Sequence, residues 1–450
     1  MIGYHLRLAL RSFRRAPGLT ALMVSAIALG IAACIVTLTV YHGMSSNPIW
    51  WKNGELYAVT MNPLSPSQTR KAGEPAYGAS QLAYDDATYL FGSGIAQRET
   101  LLTFVLGAIS GAPDQTRPLP TMTRATTAGF FRMFDVPFRY GGPWSAAADR
   151  GPEPVMVLSD RENQKLFGGS DSVGRTLLWS GHRFRIVGVL APWHPLPRFY
   201  DLSPGNGGAF ARPAGAFIPF QWGPVLHDWP AGHMSCASQG SASQGSAAST
   251  YQELLGSSCT WIGLWVELPT HAARRHFLAL MQAYAANQRA AGRFHAVNTH
   301  LWKVSQWLTL HHIVSPQSGM LVNFAFALLA VCLINTLGIL LAKFLRGAPI
   351  AGVRRALGAS RRQIFAQHLV EAGALSLAGA TLGLALSAAG LAGVRLMYRG
   401  SSAAYGKFAH FDPLGVAWAL ALAFVATIVA GLYPAWRIGR RPPATYLKSQ

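Results

Sequence analysis

Four long apolar runs divide the chain, at roughly Gly18–Tyr41, Met320–Leu341, Leu369–Val394 and Pro413–Tyr433. Crossing a hydrocarbon layer about 30 Å thick takes a helix of about 20 residues, and each run is long enough. Lipid offers no water to bond to the backbone. A helix closes its own hydrogen bonds and is the expected conformation. The pattern predicts an α-helical membrane domain of four transmembrane helices, with a large α+β extracytoplasmic domain inserted between helices 1 and 2. The expected spans are 18–41, 319–341, 369–394 and 413–433. The inserted domain covers 42–318, the loop between helices 2 and 3 covers 342–368, the next loop covers 395–412, and the tail covers 434–450.

Within 42–318 the pattern changes. Leu56-Tyr57-Ala58-Val59-Thr60, Thr100–Ile109 and Trp261–Leu268 read as strands, and Phe184–Val189 alternates with the period of two that a half-buried strand shows. Phe130–Phe134, Asp160–Phe167 and His271–Arg289 read as helices, the second opened by Ser159 as its N-cap. Gly and Pro recur throughout, so elements are expected to be short. The stretch is long enough for one core or two. Residues 1–17 place Ile2, Leu6, Ala9, Leu10 and Phe13 at helical spacing opposite arginines, the pattern of an amphipathic helix lying at a membrane surface.

Charge orients this layout. The formal net charge is +20, with 38 Lys and Arg against 18 Asp and Glu. Arg7, Arg11, Arg14 and Arg15 precede the first run. Lys343, Arg346, Arg354, Arg355, Arg361 and Arg362 lie between the second and third. Arg437, Arg440, Arg441 and Lys448 follow the fourth. None of these segments carries an acid. Short basic loops stay on the cytoplasmic side, so both termini are expected there. Since the basic residues are not gathered on one soluble module, nucleic acid is not an expected partner; the lipid bilayer is.

The cysteines add one constraint. Cys236 and Cys259 flank a direct repeat, Ser-Gln-Gly-Ser-Ala at 238–242 and again at 243–247. Such composition is expected to stay flexible, and 236–260 reads as an insertion. In an oxidising compartment the two cysteines read as a disulfide; two separate thiols are the alternative. Cys34 and Cys332 sit in apolar runs, as small buried residues do.

Catalytic signals are weak. The nearest approach to a phosphate-cradling loop, Gly400…Gly406-Lys407-Phe408, has the wrong spacing and no hydroxyl. His295, His300, His311 and His312 match no metal-ligand spacing, and no metal is expected. Asp85-Asp86 read as surface carboxylates. No enzyme activity is expected of this chain.

The loop sequence Val353-Arg354-Arg355-Ala356-Leu357-Gly358-Ala359-Ser360-Arg361-Arg362-Gln363-Ile364-Phe365 resembles that of FtsX-like/MacB-like permeases, the membrane subunits of type VII ABC transporters. Leu369-Val370-Glu371-Ala372 and Gly431-Leu432-Tyr433-Pro434-Ala435-Trp436-Arg437 are similar to later parts of that family. Phe130-Phe131-Arg132-Met133-Phe134-Asp135-Val136-Pro137, Val157-Leu158-Ser159…Leu166-Phe167-Gly168-Gly169 and Val173-Gly174-Arg175-Thr176-Leu177 resemble the MacB-type periplasmic core domain. The resemblance implies a multi-pass protein of the bacterial inner membrane. It implies a homodimer or a heterodimer with a related permease, working with a separate ABC ATPase subunit that carries the ATP and Mg. A periplasmic adaptor is a further implied partner. Val353, Arg354, Arg355, Leu357, Gly358, Ala359, Ser360, Arg361 and Arg362 are the implied ATPase-coupling residues. The implied work is export or extraction of peptides, drugs or lipid-linked cargo; the alternative is an FtsX-like regulator of a cell-envelope hydrolase without transport. Pro349-Ile350-Ala351-Gly352 departs from the family, whose members often place an acid there.

Overall fold

The computed structural model describes residues 13–14, 16–61, 81–112, 115, 117–151, 153–202, 208–232, 234–236, 248–313, 316–346, 353 and 358–397, with three isolated positions at 417, 421 and 424. The chain forms two compact units, Ser45–Ile313 and the remainder, Met1–Met44 with Val314–Gln450.

The helical unit is built from α1 (Pro17–Ser45) and two later helices described below. The other unit follows in chain order. It contains β1 (Leu56–Met61), α2 (Tyr84–Leu90), β2 (Arg98–Ser110), β3 (Leu119–Thr126), α3 (Gly129–Met133) and β4 (Phe138–Gly141). Then come α4 (Ala146–Arg150), β5 (Val155–Leu158), α5 (Asp160–Phe167), β6 (Thr176–Trp179), β7 (His182–Leu190), β8 (Ala216–Pro219) and α6 (Trp222–Leu226). The unit closes with α7 (Tyr251–Leu255), β9 (Gly263–Glu267), α8 (His271–Ala290), β10 (Thr299–Lys303) and α9 (Val304–Leu310). The helical unit resumes with α10 (Pro316–Arg346) and α11 (Arg361–Met397).

Among the described residues, ten strands join one mixed sheet in the order β10-β1-β9-β2-β3-β8-β5-β7-β4, with β6 pairing β2 and β7. Two pairings are parallel, β3 with β8 and β5 with β7. Late strands therefore sit among early ones. β9 lies between β1 and β2, setting Ala58 opposite Trp265 and Leu101 opposite Leu264. Apolar faces of the sheet feed three clusters. One gathers Phe130, Phe131, Phe134, Phe199, Tyr200, Phe217 and Trp265. A second packs α8 through Phe277 and Met281 against Val59 and Leu264. The third holds Trp179, Phe184 and Ile186.

The motif from 155 to 177 shows why local sequence gives local structure. β5 ends at Leu158, and Ser159 caps α5 by accepting from the Glu162 N–H at 3.2 Å. Gly168, at φ +62°, ends the helix in the left-handed region that glycine adopts without penalty. The turn then sends Gly174 N–H to the Ile186 carbonyl and Ile186 N–H back to Arg175, both in the main-chain ladder into β6 and β7.

The structure departs from two expectations here. Within the stretch expected to be flexible over 236–260, residues 248–260 are ordered: they contain α7 (Tyr251–Leu255) and bury Tyr251, Leu254 and Cys259, while 237–247 lie outside the described residues. Asp86 is 1% exposed rather than a surface group. It pairs with Arg293 and accepts from the Tyr284 hydroxyl at 2.8 Å, and this anchors α2 to α8.

In the helical unit, three described helices are long and apolar enough to cross a membrane. The fourth expected span, 413–433, lies outside the described residues except at 417, 421 and 424, and of the expected amphipathic helix only Phe13, Arg14, Ala16 and Pro17 are described. Small residues set the packing. Gly379 and Gly383 let α11 approach Ile27 and Ile31 of α1, where a Cβ would come within 2.6 and 3.0 Å of those side chains. Gly30 does the same for Leu329 of α10. Without a hydrophobic drive in lipid, such close backbone approach supplies the helix–helix attraction. Large apolar side chains on the other faces, among them Leu22, Leu29, Phe324 and Ile334, are exposed, as lipid-facing residues are.

Candidate functional site

The basic segment between α10 and α11 ends in a defined way at 358–360. Gly358 adopts φ +101°, which a side chain would resist. Ala359 is half-buried and Ser360 exposed, and α11 begins at Arg361. Gln363 N–H donates to Ser360 Oγ at 3.3 Å, and Ser360 N–H donates to Gln363 Oε1 at 3.0 Å. This reciprocal pair is a capping box; it satisfies two main-chain donors near the helix N-terminus. Ile364 turns inward and is 5% exposed, while Arg362 faces out. The helix therefore starts at a fixed point with its basic residue presented to solvent. Val353 is helical and exposed. Arg354, Arg355 and Leu357 lie outside the described residues, as does the Arg361 side chain.

An ion pair ties the two helices together about three turns into α11. Lys343 Nζ of α10 lies 2.6 Å from Glu371 Oε1 of α11, with side chains 12% and 5% exposed. His368 Nδ1 is 3.9 Å from the other carboxylate oxygen. The same ammonium sits 4.9 Å from the centre of the Phe13 ring, in cation–π range. Three separate stretches of chain thus meet at one buried charge pair. Removing one partner of such a pair strands the other, which is far costlier than losing a surface pair. Sequence reasoning placed Lys343 in the basic loop and Glu371 in a family motif without linking them. The signal was there: Glu371 is the one acid in α11, and an acid in an apolar helix needs a cation.

Cys236 and Cys259 are joined by a disulfide, 23 residues apart in sequence. It fastens the two ends of the repeat segment beside the Ser235–Thr260 bridge. Cys34 is buried and donates from Sγ to the Ala325 carbonyl at 3.3 Å, and Cys332 is also buried and free. Among the described residues, no group of three or more His, Cys, Asp or Glu side chains is placed to hold a metal ion. His311 instead donates from Nδ1 to the Trp307 carbonyl at 3.0 Å.

Two family models match the chain. MacB-like periplasmic core domain covers residues 20–252, and FtsX-like permease C-terminal covers 322–443. No curated protein matches it. Among solved structures, the chain is similar to the extracellular domain of the noncanonic ABC-type transporter YknZ from Gram-positive bacteria, at 9% identity over 55% of this chain and 98% of that one, with a TM-score of 0.34. It is similar to the periplasmic region of MacB from Actinobacillus actinomycetemcomitans at 11% identity over 58% and 91%, TM-score 0.33. A domain of a putative permease from Porphyromonas gingivalis is similar at 13% identity over 56% and 89%, TM-score 0.33. Likeness at this level carries no weight for function. The family models, joined in the order that the two units require, do: the chain belongs to the FtsX-like permeases of ABC transporters that carry a MacB-like periplasmic core domain.

Proposed function

We propose that this chain is the permease subunit that couples ATP hydrolysis on a separate ATPase subunit to movement of its periplasmic domain. It works as a dimer, with both termini and the basic turn on the cytoplasmic face of the inner membrane, and drives export or extraction of peptide, drug or lipid-linked cargo. The observation that carries the reading is the turn itself. Gly358 and the Ser360 capping box give α11 a fixed start, and the Lys343–Glu371 pair binds α11 to α10 about three turns further on. A force on the turn is thereby delivered to two membrane helices at once. Arg354 and Arg355 supply the charge for carboxylates on the ATPase, where an arginine makes strong bidentate pairs.

The test replaces Arg354 and Arg355 by Ala in the full chain and measures ATPase co-purification and ATP turnover, with expression and topology checked in parallel. Losing buried charge partners at an interface costs about 2–5 kcal/mol, so recovery of the ATPase should fall by tenfold or more. Wild-type recovery and turnover would assign these arginines to anionic lipid instead.

A further inference from the structure

A recess opens in the sheet-containing unit near Gly263, at the start of β9. β2 continues past this point, and there its Phe104 carbonyl accepts instead from the Ala231 N–H at 2.8 Å. The recess is lined by aromatic rings, Phe104, Tyr200, Trp261, Trp265 and Trp307, and by Arg124. Arg124 is 1% exposed. Its Nη2 lies 2.6 Å from Asp201 Oδ2, and its guanidinium carbon stacks 3.8 Å from the centre of the Phe104 ring.

The polar atoms around this recess are short of partners. Arg124 Nε, Tyr200 OH, Trp261 Nε1 and Trp307 Nε1 are all buried without a hydrogen bond, and so is the acceptor Gln81 Oε1. Each belongs to a residue more than nine-tenths buried. Buried polar groups are normally satisfied, and each unmade bond costs about 1–3 kcal/mol. Five of the residues that line this one recess each carry such an atom. Four are donors. Burial raises the Tyr200 hydroxyl above its usual range despite the two nearby guanidinium groups of Arg198 and Arg124, so it keeps its proton and donates. Arginine keeps its charge.

We propose that this recess binds a carboxylate, with the donors of Arg124, Tyr200, Trp261 and Trp307 turned to its oxygens. The charge argues for a monoanion: Asp201 already offsets part of the Arg124 charge and repels a dianion. The ring walls suit the apolar carbon that bears a carboxylate. This site is independent of the ATPase-coupling reading, since it uses no residue of the basic turn.

The test uses the full chain in nanodiscs with its tryptophans labelled at the indole nitrogen. Trp261→Phe and Trp307→Phe identify the two indole signals. Acetate, titrated at constant ionic strength against chloride, should shift both signals saturably. Tyr200→Phe keeps the ring in the core and removes one donor. It should melt no lower than wild type, while its midpoint for acetate rises about tenfold, equivalent to about 1.4 kcal/mol. Tighter saturation by N-acetyl-Gly-Gly, lost in its amide, identifies a chain terminus as the natural ligand; acetate binding as tightly identifies a small free acid. The proposal is overturned if the signals stay still, if chloride or phosphate moves them as acetate does, or if Tyr200→Phe binds acetate with the wild-type midpoint.

Discussion

Gly107 shows how much a single missing side chain decides. The Trp179 indole from β6 lies across it and donates to Thr123 Oγ1 at 2.9 Å. A Cβ at Gly107 would stand 2.4 Å from that indole. Gly107→Ala should therefore displace a fully buried tryptophan and lower stability by about 1–3 kcal/mol, the usual cost of overpacking a core. The thermal midpoint of the variant checks it; an unchanged midpoint would mean that Trp179 moves aside freely. His311 offers a prediction with a pH sign. Burial pulls its imidazole down to about 4, with the neighbouring His312 adding to this and the Trp307 carbonyl opposing it. In the unfolded chain it titrates near ~6.5. Neutral His311 therefore contributes its full share above that value, and the contribution is lost as pH falls from there towards the folded value. The loss is at most about 3 kcal/mol by linkage. His311→Gln should flatten the fall in thermal midpoint between neutral and acid pH; an identical slope in the variant would rule His311 out as its source.

At the scale of elements, two ties carry measurable weight. The Cys236–Cys259 disulfide closes a loop of 23 residues. Replacing both by Ser should cost roughly 3 kcal/mol on the chain-entropy account, read as a lower midpoint that matches wild type under reducing conditions. The Lys343–Glu371 pair tests differently. Lys343→Met alone leaves Glu371 buried beside His368 without its ammonium partner, and should destabilise by about 3–5 kcal/mol. Lys343→Met with Glu371→Leu should recover much of that, because two apolar side chains suit these helices. Yield and midpoint in detergent distinguish the two variants; equal losses would show that the pair does more than neutralise a charge. The element-scale features were unevenly legible. Asp160–Phe167 is α5 to the residue, because Ser159 and Gly168 bracket it with local chemistry. β7 was legible because Phe184 and Ile186 alternate with exposed arginines. β3, β5, β6, β8 and β10 carry no comparable pattern: four-residue Val155–Leu158 is buried throughout, so it shows no period.

At the scale of the whole molecule, the proposed topology makes the last prediction. A cysteine at Ser249, exposed in the sheet-containing unit, should react with an impermeant label in spheroplasts, whereas one at Ser360 should not. Labelling at Ser360 would invert the assignment of faces. The apolar runs predicted four spans around an inserted α+β domain, and three of those spans are long apolar helices among the described residues, because hydrocarbon thickness acts through composition and length alone. Family motifs likewise survive as linear strings, and they led to the permease family. Only tertiary structure decided the rest. The sheet threads β9 between β1 and β2, strands separated by the length of the domain, and no local pattern encodes that neighbour choice. Asp86 reads as a surface carboxylate until Arg293 is brought to it, and the cation that Glu371 needs is identified only when Lys343 meets it. Arg124, Tyr200, Trp261 and Trp307 become one recess only when four distant segments converge. Burial and charge pairing are sums over such neighbours, and the chain acquires those neighbours only on folding.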